Sequence, residues 1–196
     1  LFAFTGALAH QLDMGGSPRA FINETIHEEG LIIPGVFLAK EGVVQEDILQ
    51  FTHFTNADAW ELGTMILMEA RRRGAQVGIM IRRSNGEVVF QYCDNGITPH
   101  NVELMRRKSN SVLLTERSSL QLYMAATNAP ESVKQMVLDP KEYAMLGGGF
   151  PICVEEVGVV ATVAVSGMGQ VSDHDVIVKC ISKYLHIDEV PRIRTV

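Results

Sequence analysis

Apolar residues along this chain recur with two periods, one of two and one near 3.6, and the switches between them mark out the elements. The pattern is densest from Gly147 to Leu185. Phe150 to Val154 and Val157 to Val165 are β-branched apolar runs separated by Glu155-Glu156, which predicts two strands joined by a tight turn. Ser166-Gly167-Met168-Gly169 breaks the second strand, and Ser172 or Asp173 offers a side-chain oxygen to cap a following helix. In that helix His174, Ile177, Val178, Ile181 and Leu185 form one buried stripe.

The earlier chain yields to the same reading. Ser17-Pro18 opens a helix over Pro18 to Glu29, and the Pro34-Gly35 interruption makes the next apolar stretch an extended connection. Alternation over Ile48 to Phe54 predicts a strand. Thr55 or Asn56 then caps a long helix whose inner stripe is Ala59, Leu62, Gly63, Ile66 and Ala70, closed by Gly74. Gly63 within the stripe predicts a close approach by another backbone, and Arg71 to Arg73 a solvated helix end. Gln76 to Arg82 and Glu87 to Tyr92 flank Asn85-Gly86, a two-residue hairpin signal. Thr98-Pro99 starts a helix carrying Arg106, Arg107 and Lys108, three neighbours that cannot all point one way. Shorter helices follow Ser118 and Ala129, with a turn at Pro140, and the tail beyond Leu185 has no periodicity.

Helix, strand, helix, hairpin, helices, hairpin, helix is an α+β order with a mainly antiparallel sheet. At 196 residues, 46% of them hydrophobic, a single domain with a sizeable core is expected, with residues 1–45 and 187–196 peripheral.

Charge and motif content then narrow the function. A formal net charge of −6 disfavours a general nucleic-acid binder, and no run is long and apolar enough to span a membrane. Leu1 to His10 is apolar like the centre of a signal peptide but lacks a basic leader. Cys93, Cys153 and Cys180 are widely spaced with no C-x-x-C pair, so a reducing compartment is expected, the chain is read as cytoplasmic, and no metal site is assigned. Gly147-Gly148-Gly149 lacks dinucleotide-loop spacing, yet such a loop can present backbone N–H groups to a carboxylate or phosphate. His174, in the first turn of a helix and partly desolvated, is expected to be neutral at pH 7. A neutral imidazole suits iron ligation or base chemistry; a core histidine hydrogen-bonded to backbone is the alternative.

Several ordered motifs carry a family likeness. The run Met105-Arg-Arg-Lys-Ser-Asn-Ser-Val112, Arg117-Ser-Ser, Tyr123-Met124, Gly147-Gly-Gly-Phe-Pro-Ile152 and the stretch from Val157 to the Asp173-His174-Asp175 triplet, with Ala57-Asp-Ala-Trp-Glu-Leu-Gly63 before them, resemble an uncharacterised-protein family of the HbpS/GlcG/PduO-C-like, haem-degrading-domain-like group. The likeness covers about Phe51 to His186. It implies a profilin-like fold in α/β/α layers with a five-stranded sheet, dimers that assemble into larger homo-oligomers, and relatives that bind haem or related tetrapyrroles. Carried over by motif, the ligand-binding candidates are Arg107, Lys108, Gly148, Gly149, Phe150, Pro151, Asp173 and His174. Two positions depart from the pattern: Leu104 stands where a tryptophan is usual, and Ala161 where a glycine is usual.

The leading expectation is a non-catalytic homo-oligomer that binds a small ligand. Arg107 and Lys108 would neutralise an anion, loop N–H groups would orient it, and His174 would ligate iron if the ligand were haem. No motif specifies a cofactor beyond that candidate. An oligomeric protein-interaction module using the same residues for assembly is the alternative, and a haem-degrading enzyme ranks last.

Overall fold

The computed structural model describes residues 45–191. The predicted Pro18–Glu29 helix, the connection after it and the end of the tail lie outside them. Ten elements follow: β1 (Gln50–Phe51), α1 (Asn56–Arg72), β2 (Gly78–Arg83), β3 (Val88–Cys93), α2 (Pro99–Thr115), α3 (Ser119–Asn128), α4 (Pro130–Lys134), β4 (Gly149–Val154), β5 (Gly158–Ser166) and α5 (Gln170–Tyr184). The strands form one five-stranded sheet in the order β1-β4-β5-β2-β3.

Strand period decides the layers. Ile79 and Ile81 of β2, Phe150 and Ile152 of β4, and Val163 and Val165 of β5 project to one face, where they pack with Leu62, Ile66, Ile177 and Ile181 of α1 and α5. Met80 and Ala164 project to the other, against Met105 of α2. The result is the α/β/α sandwich the resemblance implies. Burying a side chain the size of Leu62 or Ile177 contributes about 1.5–3 kcal/mol, so the α1/α5 face is the main apolar contribution to stability.

The sheet is antiparallel at β2–β3, β2–β5 and β4–β5, but β1 pairs with β4 in parallel, Gln50 opposite Cys153 and Phe51 opposite Val154. The predicted Ile48–Phe54 strand shrinks to these two residues. Residues 45–48 are helical, with Leu49 N–H donating to the Gln45 carbonyl, and the chain turns at once into the Thr55 cap of α1. Alternation at 48–54 therefore reflects a half-buried crossing, not a long strand.

Other local readings shift for identifiable reasons. Gly86 N–H donates to the Arg83 carbonyl and Gly86 alone of the turn has positive φ (95°), so the hairpin closes through Ser84, Asn85 and Gly86 as a three-residue loop instead of a two-residue one. Gly63 meets a ring and not a backbone: a Cβ there would lie 2.5 Å from Phe90. Arg73 is no solvated end residue, since it pairs with Glu69 at 2.9 Å and with Asp175 of α5 at 2.8 Å. Lys179 joins the same Glu69 carboxylate at 2.7 Å, which ties α1 to α5.

The start of α5 also differs. It opens at Gln170 with Gly169 as N-cap, and neither Ser172 nor Asp173 caps it. Gly167 and Gly169 take φ of 149° and 104°, and a Cβ on Gly167 would lie 2.4 Å from the Gln76 carbonyl oxygen. The backbone bends there because only glycine fits, and the helix begins earlier than the side chains suggest.

Candidate functional site

The three cations of α2 separate. Arg106 turns outward to Glu103 and Glu142, at 2.6 and 2.7 Å. Arg107 donates to the Tyr143 carbonyl at 3.4 Å. Lys108 points inward, 3% exposed, where its Nζ donates to the Val165 carbonyl at 2.7 Å and to Asp173 Oδ2 at 3.3 Å. Helical neighbours about 100° apart are bound to diverge in this way.

Asp173 is the other half of a buried pair. Its Oδ1 accepts the Met168 N–H at 2.9 Å, so the carboxylate braces the Gly167–Gly169 bend while its second oxygen faces Lys108. Burial pushes the Lys108 ammonium below the usual lysine range and the Asp173 carboxyl above the usual carboxylate range, each offset by the charge of the other.

This pair borders an open cleft of about 350 Å³. Asn101, Leu104 and Lys108 of α2 form one wall, and Gln170 and Asp173 of α5 the other, with Leu146, Gly147 and Gly167 among the residues between them. Asn101 Nδ2 donates to Ser166 Oγ at 3.1 Å, so the strand end carries a fixed polar edge into the cleft. The glycine loop lies beneath. Gly148 has φ of 105°, and a Cβ on it would be 2.8 Å from Lys108 Nζ and 2.7 Å from Asp173 Cβ. Gly149 N–H donates to Ser119 Oγ at 2.8 Å, and that hydroxyl donates to the Leu146 carbonyl at 2.6 Å, which locks the loop.

His174 goes the opposite way. One step along α5 from Asp173, its ring enters the α1/α5 core, edge-on to Phe150 with 5.6 Å between ring centres. Its Nε2 lies 2.9 Å from Gln45 Oε1, and Nδ1 has no hydrogen-bond partner among the described residues. Burial pushes its pKa down to about 4, so the ring is neutral at pH 7, as expected from its place in the helix.

Of the eight motif-derived residues, the structure thus brings Lys108 and Asp173 to the cleft and sets Gly148 against both. Gly149 serves the loop, Phe150 and Pro151 are buried in β4, Arg107 reaches Tyr143, and His174 lies in the core. Among the described residues no group of three or more His, Cys, Asp or Glu is placed to hold a metal ion. Cys180 is a core thiol pushed up to about 12, chiefly by burial.

Residues 54–182 match the family described as haem degrading protein HbpS-like. The chain belongs to this HbpS-like family. A UPF0303 protein of Pseudomonas entomophila is 38% identical over 147 residues, covering 74% of this chain and 81% of the relative. The crystal structure of Ybr137w is similar with a TM-score of 0.70 and 27% identity, over 76% of this chain and 87% of that one. That of a PduOC:Heme complex is similar in fold, with a TM-score of 0.57 at 14% identity, over 66% of this chain and 93% of that one.

Within this HbpS-like chain, several site residues escape sequence reasoning. Asn101 carries no signal beyond lying just after the Thr98-Pro99 helix start; in the structure its Oδ1 accepts the Thr98 N–H at 3.1 Å while its Nδ2 reaches Ser166 at the cleft. Ser166 and Gln170 flank the glycine bend and read as loop polarity. Gln45 and Glu46 give no signal, because two polar residues beside a short amphipathic run look solvent-facing, yet they are 1% and 4% exposed. Glu46 Oε1 accepts the Ser118 N–H at 2.6 Å and Oε2 lies 3.6 Å from Arg117, while burial pushes its pKa up to about 7.

Proposed function

We propose that this HbpS-like protein binds a small anionic molecule in the cleft between α2 and the start of α5, holding it without turning it over. The observation that carries the reading is that the buried ammonium of Lys108 and the uncapped N-terminus of α5 border one cleft. Helix N-termini favour anions because their first N–H groups are unpaired and the peptide dipoles point there. A volume of about 350 Å³ suits a small molecule, and Leu104 and Leu146 supply apolar walls for its body.

Haem is the second reading, supported by the description of the family and by the PduOC:Heme neighbour. Its iron is usually held by His, Cys, Met or Tyr side chains, and none of these lines the cleft. His174 engages Gln45 in the core, and Arg107 and Lys108 diverge where two propionates would need converging cations. These residues do not fit a ligated haem.

A homo-oligomer belongs to the same proposal. Trp60 and Met68 of α1 are 66% and 59% exposed, apolar area that contact with a second copy would cover. Static light scattering measures this directly.

The ligand reading is tested by calorimetric titration with pyruvate and with phosphate, beside a haemin titration followed by absorbance, on wild type and Leu104→Glu. A carboxylate at the cleft wall should weaken anion binding by roughly tenfold without moving the melting temperature, which corresponds to about 1.4 kcal/mol. Failure of wild type to bind either small anion sinks the proposal. A saturable, stoichiometric Soret shift transfers the weight to haem.

A further inference from the structure

We propose that Lys108 is a nucleophile whose amine captures a small 2-oxo acid as an imine in the cleft, with Asp173 carrying the protons. The inference rests on the anion-binding reading and names the class of ligand that reading would take.

Lys108 has the surroundings this chemistry needs. An ammonium offers three N–H donors, and Nζ uses two, on the Val165 carbonyl at 2.7 Å and Asp173 Oδ2 at 3.3 Å. The third has no acceptor among the described residues, and Lys108 lines the cleft. A proton can pass from Nζ to Oδ2 along the existing hydrogen bond, and burial of both groups favours the neutral amine and neutral carboxyl that result. On the loop side Gly148 packs tightly against the pair, where a Cβ would lie 2.6 Å from the Val165 carbonyl oxygen, 2.7 Å from Asp173 Cβ and 2.8 Å from Nζ, so that side is closed and the approach to the amine is through the cleft that Lys108 lines.

A purely structural role for the pair explains less. Exchanging a buried ion pair for apolar side chains is often neutral or stabilising, so stability alone gives no reason to keep this one at a cleft. Capture of a carbonyl compound does. The 2-oxo acid would set its carboxylate toward Gly169 and Gln170 at the α5 end, leaving its keto carbon to the amine.

The step balances without an oxidant or reductant. Asp173 takes one proton from the Lys108 ammonium, and the amine lone pair forms a C–N bond to the keto carbon as the C=O π pair moves to oxygen. The Asp173 carboxyl protonates that oxygen, and its carboxylate then takes the extra proton from nitrogen, leaving a carbinolamine. The carboxyl next protonates the hydroxyl, the C–O bond breaks, and water leaves. The products are a protonated imine and the Asp173 carboxylate, so the site holds the same two opposite charges before and after.

The test is incubation of the folded protein with pyruvate and cyanoborohydride at pH 7, which reduces an iminium to a stable secondary amine, followed by intact-mass measurement and peptide mapping. One adduct is expected, on Lys108, with Lys40, Lys134, Lys141, Lys179 and Lys183 unlabelled. Lys108→Arg keeps a cation beside Asp173 and should lose the adduct entirely. Labelling spread over the surface lysines, or an adduct that survives Lys108→Arg, overturns the proposal. Calorimetric binding of pyruvate without any adduct overturns the nucleophile and leaves the anion cleft standing, whereas absence of both binding and adduct removes the two together.

Discussion

Gln45 and His174, 129 positions apart, meet in the core with Gln45 Oε1 2.9 Å from His174 Nε2. Glu46, the next residue, accepts the Ser118 N–H at the start of α3 at 2.6 Å. Two buried polar side chains thus fasten the segment before β1 to two different helices.

Their titrations oppose each other. His174 falls from 6.5 to about 4 on folding, so the unfolded chain binds more protons in that window, and stability is full above pH 6.5 and lost as pH drops toward 4. Glu46 rises from 4.5 to about 7, chiefly by burial, with Asp47 adding to the rise and Ser118 and Arg117 opposing it. Its contribution is full below pH 4.5 and lost as pH rises through 7. Each amounts to roughly 3 kcal/mol, so they nearly cancel between pH 4.5 and 6.5. Glu46→Gln should expose the histidine alone: urea midpoints that are nearly level across this range in wild type should climb steadily with pH in the variant. Parallel profiles for the two proteins would count against the paired assignment.

The seam between α1 and β3 depends on a missing methyl. A Cβ on Gly63 would stand 2.5 Å from the Phe90 ring, itself edge-on to Trp60 with ring centres 5.9 Å apart. Gly63→Ala should cost about 1–3 kcal/mol by overpacking, despite the better helix propensity of alanine. That corresponds to a fall in melting temperature of roughly 2–12 °C for a chain of this size. Adding Phe90→Leu should recover part of the loss, and a stabilised Gly63→Ala would show that α1 can shift away from the sheet.

The Lys108–Asp173 pair should behave as a unit. Asp173→Leu strands a buried ammonium and should destabilise by about 3–5 kcal/mol, whereas the double variant Lys108→Met/Asp173→Leu should recover most of it. Urea denaturation of both singles and the double closes the cycle. Additive losses would mean that the two groups do not sense each other.

Local pattern on this chain determined the kind and approximate extent of α1, β2, β3, α2, β4, β5 and α5, because a stripe or an alternation needs only its own neighbours in sequence. It also determined that Arg106, Arg107 and Lys108 diverge, since helix geometry alone requires it. Tertiary structure decided which of them turns inward, and it chose Lys108 because α2 packs on the sheet through Met105 and Val112. The spacing of His174 with Ile177, Val178 and Ile181 already puts that ring on the buried stripe, but that Asp173, one step before it, meets Lys108 at the cleft depends on where α5 crosses the sheet, which no stretch of sequence encodes by itself. The same holds for Gln45 and Glu46, whose burial exists only once segments far apart in sequence, around Ser118 and His174, have closed over them. Periodicity reports which face of an element is apolar; it cannot report which polar group another element brings to meet it.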